Sequence, residues 1–109
     1  MIWAVAHTYN TMGWQFWSIG DYENAIAGYQ QAQQVSRQIG NEVHLARILN
    51  NTGAVYYQWG RYALALEHYL ESLELREKLQ DDGGSALVLN NIGKTYQDLD
   101  NPDKALEFF

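Results

Sequence analysis

Few side chains in this 109-residue chain could do covalent chemistry, and they are scattered. There is no cysteine, which removes thiol catalysis, disulfides and thiolate-held metals. His7, His44 and His68 fall in three separate segments with no metal-ligand spacing, so each reads as a surface or joint residue. The acidic stretch DLDNPD, Asp98 to Asp103, is short of a calcium loop: proline and aspartate stand where a ligand and a glycine are required, and no glutamate closes it. Helix capping is the simpler use. Glu67, Glu71 and Glu74 share one helical stripe, but acid–base work by paired carboxylates needs a sheltering pocket that nothing nearby builds. No glycine-rich phosphate loop is present.

What remains is suited to holding rather than transforming. Asn10, Asn50 and Asn90 recur at equal spacing. An amide side chain offers two donors and two acceptors, so a ladder of them can pair with the backbone of an extended peptide whatever its sequence. The same amides could instead bond to neighbouring helices and set their arrangement. Trp14 and Trp17, about one helical turn apart, are anchors of the kind that dominate interfaces, or else core aromatics.

The elements that position these residues are written in a repeat. Ala6, Ala46 and Ala86 are 40 residues apart, and so are Gly13, Gly53 and Gly93. The same period relates Phe16, Tyr56 and Tyr96, then Ala25, Ala65 and Ala105, then Tyr29, Tyr69 and Phe109. Such self-similarity marks a repeat architecture. Each unit reads as two helices. Leu49, Gly53 and Tyr56 share one helical face, Gly60 suits the left-handed residue that ends a helix, and a second apolar stripe runs from Ala65 to about Leu79. Asp21 and Asn101 stand at cap positions, with Pro102 and Asp103 opening the last helix. The stretches IGNE and LQDDGGS are expected to join one unit to the next. Glycine and alanine at the repeated small positions let the two helices of a unit approach, and a larger residue there would cost roughly 1–3 kcal/mol.

Together these small and aromatic positions resemble the tetratricopeptide repeat (TPR) family, with Ala32 and Ser72 adding to the match. The resemblance implies an all-α, right-handed solenoid of antiparallel helix pairs. It holds about two and a half repeats in one domain over residues 1–109: repeat 1 about 3–40, repeat 2 about 43–80, and a partial repeat 3 about 84–109. The family's closing proline is absent, with Arg37 and Glu77 in its place, and the unit is longer than the usual 34 or so residues. In that it is similar to the long repeats of kinesin light chain and of bacterial signalling proteins. The resemblance further implies that His7, Asn10, Trp14, Trp17, Arg47, Asn50, Tyr57, Asn90 and Lys94 face a concave groove where partners bind. Only Arg47 and Lys94 are basic among the residues that the family's carboxylate-clamping members use, which disfavours binding of chaperone tails.

A net charge of −6 and a pI near 4.8 argue against nucleic acid or an anionic membrane as partner, since both demand a basic surface. No apolar run is long enough for a bilayer span, and no secretory leader is evident, so a cytoplasmic location is expected. The expected function is a non-catalytic protein-interaction module for a partner peptide or helix, needing no cofactor and no metal. Two other readings stay open. The third copy stops after the opening turns of its second helix, so uncapped ends could build a homo-oligomer. Alternatively the chain is a regulatory segment of a larger signalling enzyme.

Overall fold

The computed structural model describes residues 20–99. Over that span the chain forms four α-helices: α1 Tyr22–Ile39, α2 Glu42–Gln58, α3 Tyr62–Lys78 and α4 Asp82–Asp98. Among the described residues there is no strand. The helix α1 is the second of unit one, α2 and α3 form unit two, and α4 is the first of unit three. Successive helices pack on each other, most extensively α2 on α3, while α2 and α4 meet only lightly. The result is a helical-repeat solenoid. The expected caps at Asn101 to Asp103, and all of the expected first helix of unit one, lie outside the described residues.

The joints obey one rule. Gly40, Gly60 and Gln80 adopt φ of +69°, +79° and +56°, so the chain turns at every twentieth residue. The following N–H then reaches back over the helix end: Asn41 to the Ser36 carbonyl at 3.1 Å, Arg61 to Tyr56 at 2.8 Å and Asp81 to Arg76 at 2.9 Å. These bonds satisfy carbonyls that the helix leaves unpaired. The helices therefore close cleanly with Arg37 and Glu77 where the family usually carries proline.

Three of the four helices are then restarted by a side-chain cap. Asp21 Oδ1 accepts from the Asn24 N–H at 3.3 Å, Asn41 Oδ1 from His44 at 3.1 Å and Asp81 Oδ1 from Gly84 at 2.9 Å. Arg61, ahead of α3, makes no such bond, and its guanidinium lies 4.3 Å over the Trp59 ring instead. The joint LQDDGGS is shorter than expected from sequence. Because Gln80 supplies the left-handed turn and Asp81 the cap, α4 already begins at Asp82, and Gly83 and Gly84 sit in its first turn.

Where the small residues are described, they pack as the sequence implied; Gly13 and Ala105 lie outside the described residues. A Cβ on Gly53 would stand 2.7 Å from ring carbons of Tyr69, so the glycine is what lets the α3 tyrosine lie against α2. Ala25, Ala32 and Ala65 are fully buried, beside Tyr29, Ile48, Leu49, Val55, Val88 and Ile92. Polar cross-links tie the helices at defined heights. The Ser72 hydroxyl donates to the Ala46 carbonyl at 2.7 Å, and the Gln33 amide donates to Thr52 Oγ1 at 3.0 Å. Outside the core, Arg37 pairs with Glu71 at 2.6 Å and Lys78 with Glu42 at 2.9 Å. Thus Glu71 of the acidic stripe serves as an inter-unit tie as well as solvated surface.

Candidate functional site

The helices α2 and α4 run side by side with α3 packed against both, and across the cleft between them Asn50 and Tyr57 of α2 meet Asn91 and Lys94 of α4, whereas Arg47 lines a cavity against α3. Three features follow α2 along its length. At the start of α2, Arg47 shares a cavity of about 310 Å³ with Val43 and Ala46 of α2, Arg76 near the end of α3, and Leu79 and Asp81 of the joint. At mid-height the Asn91 amide donates to Asn50 Oδ1 at 3.1 Å. At the far end a second cavity of about 170 Å³ lies between Ala54, Tyr57 and Gln58 of α2 and Asn91 and Lys94 of α4, with Tyr69 of α3 behind.

This far end is the more tightly knit. The Tyr57 hydroxyl donates to Asp98 Oδ2, and the Lys94 ammonium sits 5.4 Å from the Tyr57 ring centroid. Tyr62 approaches the same ring at 5.6 Å. Burial pushes the Tyr57 phenol up to about 12, with the hydrogen bond to Asp98 and that carboxylate's charge adding to it. Tyr57 and Lys94, candidates on separate helices, thus form one cluster with Asp98, and both of them line the same cavity.

The asparagines separate. Asn50 is only 8% exposed and is held by Asn91 of the next unit, whereas Asn90 is exposed. Asn50 therefore bonds between helices, the second of the two uses open to it from sequence, while Asn90 presents its amide to solvent. His7, Asn10, Trp14 and Trp17 lie outside the described residues.

Arg76 is the residue that the sequence reading passed over. It sits on a second helix, away from the first-helix stripe on which candidates were sought. Its guanidinium is drawn into the Arg47 cavity and is largely buried, with Asp81 at 4.0 Å. Burial lowers its proton affinity, Asp81 opposes that, and Arg47 adds to it. The signal that could have located it is Gly84: a Cβ there would collide with both the Arg76 guanidinium and the Asp81 carboxylate. Among the described residues, no group of three histidines, cysteines, aspartates or glutamates could hold a metal, and no helix is long and apolar enough to cross a membrane.

Comparison with known proteins agrees with this architecture. The family model described as "Tetratricopeptide repeat" matches residues 4–78 and again 60–109. The chain superposes on the TPR domain of Arabidopsis FLU with a TM-score of 0.93 at 18% identity, covering 99% of this chain and 91% of that one. BtubC (BKLC) from P. vanneervenii gives a TM-score of 0.87 at 25% identity over 94% of this chain, which spans 42% of the BtubC chain. The TPR2AB domain of yeast Sti1, solved as a complex with pHSP90, gives 0.82 at 22% identity, covering 96% of this chain and 38% of that one. No curated protein sequence matches the chain significantly.

Proposed function

The chain belongs to the tetratricopeptide repeat family, and from that premise we propose that it is a protein-interaction module holding a segment of a partner protein in the cleft between α2 and α4. The observation that carries this reading is the Tyr57–Lys94–Asp98 cluster beside an open cavity. Aromatic, cationic and amide groups converge there on one space, and Asn90 adds an exposed amide on α4. Such a surface recognises by shape, stacking and hydrogen bonding. It has neither a nucleophile paired with a base nor a sheltered acid pair, so no catalytic step is assigned to it. The acidic net charge of −6 favours a protein partner over nucleic acid or an anionic membrane.

The yeast Sti1 domain in complex with pHSP90 shares the fold, and its likeness supports a groove-binding use without naming this chain's partner. The arginine at position 47 and the lysine at 94 border cavities toward opposite ends of α2, so an extended segment lying along that helix would meet one cation near each end. Trp14 and Trp17 would lengthen the same surface through the first unit.

Selection of a displayed peptide library on the whole chain tests this. Selected peptides are expected to lose binding to Lys94→Ala and Tyr57→Ala while circular dichroism and melting stay nearly unchanged. Peptides that bind equally well to both variants, and instead lose binding when Arg37 and Glu71 of the outer face are changed, would refute the groove.

A further inference from the structure

We infer that the cavity between Arg47 and Arg76 is an oxyanion-binding site, taking a carboxylate or phosphate group. It deepens the groove reading by naming one chemistry of the occupant, and it rests on that reading only for the source of the oxyanion.

Three features point to an anion. First, the cavity concentrates positive charge in a chain whose net charge is −6: two guanidinium groups border it against the single Asp81 carboxylate. Second, Arg76 is under-satisfied. Its side chain is only 11% exposed, its Nε–H is buried with no hydrogen-bond partner, and its Nη1 stands 4.0 Å from Asp81 Oδ2, too far for a hydrogen bond. A guanidinium carries five donors in a planar fork that matches carboxylate and phosphate oxygens, and leaving such donors buried and unmade is costly. Third, Asp81 cannot finish the task. Its Oδ1 is committed to the Gly84 N–H at 2.9 Å as the cap of α4, which fixes the carboxylate at the joint rather than over the fork.

The surrounding chain keeps this arrangement open. Gly84 has no Cβ, and the Arg76 guanidinium lies where one would stand. Arg47 is exposed on α2 and makes no ion pair among the described residues, so its head can close over a bound group. Val43 and Leu79, both substantially exposed, form an apolar rim that would pack the stem carrying the oxyanion. A bound oxyanion would accept from Nε–H of Arg76 and from Arg47, and would relieve the repulsion between the two cations.

The test uses the whole ¹⁵N-labelled chain and inorganic phosphate, with acetate in a parallel arm, both at constant ionic strength. Phosphate is expected to move the Arg76 Nε–H resonance along a saturating curve. Arg47→Gln should weaken that binding about tenfold, the effect of losing one charge-assisted hydrogen bond. Arg37→Gln, which removes an equal charge from the outer face, should leave it unchanged. Saturation by phosphate alone assigns a phosphoryl group as the natural source, and saturation by acetate at similar concentration assigns a carboxylate. A linear drift matched by sodium chloride, or a curve indifferent to Arg47→Gln, overturns the proposal. No partner peptide is involved, so this result stands apart from the outcome of the library selection.

Discussion

Two of the seams that α2 makes, those with α3 and with α4, are built on opposite plans. Toward α3 its middle is close-packed: Gly53 receives the Tyr69 ring, Ala65 is fully buried, and the Ser72 hydroxyl that crosses to the Ala46 carbonyl is itself paired. Toward α4 it is open and polar. There Asn50 meets Asn91, Tyr57 meets Asp98 and Lys94, and a cavity remains at the far end. The difference separates two duties. Close apolar packing supplies stability but leaves nothing for a partner to touch, whereas an incompletely filled polar seam costs stability and leaves groups available.

Substitutions should divide along the same line. The largest loss is expected at Ile48, fully buried on α2. Ile48→Ala removes packed volume from the buried core and should lower unfolding free energy by about 2–5 kcal/mol in urea melts, the usual range for such truncations. Gly53→Ala comes next. Its new Cβ must displace Tyr69, an overpacking cost of roughly 1–3 kcal/mol. A neutral result there would mean that the seam is looser than its geometry, and the contrast with the α4 side would weaken.

On the polar side the effects are smaller and depend on pairing. Asn91→Ala removes the donor to Asn50 and should cost about 1 kcal/mol, with a double-mutant cycle against Asn50→Ala returning most of it as coupling. Full additivity would show that the two amides act separately, and would return Asn50 to the list of groups open to a ligand.

Alkaline titration sharpens the comparison with little effect at neutral pH. Tyr29, in the dry core, is pushed up to about 12 by burial alone, and Tyr57, in the cleft, to about 12 with Asp98 contributing. Their folded pKa values lie above the ordinary 10.0, so the stability they carry is complete below that pH. As pH rises from 10 toward about 12, the unfolded chain loses protons that the folded chain keeps, and stability falls. Phenolate absorbance should show Asp98→Asn lowering the Tyr57 transition and leaving Tyr29 where it was. A shift in both would mean that the variant perturbs the core rather than the cleft.

Much of the fold was legible before any coordinates, for reasons that are local. Gly60 announced its turn because glycine alone among common residues takes positive φ without strain, and Asp21 announced its cap by a short polar side chain ahead of an apolar stripe. The 40-residue period made Gly53 and Ala65 readable as a close crossing, since helical spacing places residues on a face without reference to the rest of the chain. Gln80 escaped that logic. It holds φ of +56° at a place where the other joints use glycine, and only its position in the common turn explains it.

The site was legible in part. Tyr57, Lys94 and Arg47 could be ranked because a first-helix stripe is a local object, but their companions could not. Asn50 chose Asn91, 41 residues away, over an open position, Glu71 found Arg37, and Arg76 turned toward Arg47 from another helix. Each of those choices depends on how far one helix is rotated and shifted against the next. That offset is the sum of many packing contacts along both seams, and it is too small per residue to be written in any one stretch of sequence. The sequence alone thus determined the repeat, its turns and its crossings, where single residues answer to their own backbone. Only the tertiary structure decided which polar groups met and which were left facing the cleft.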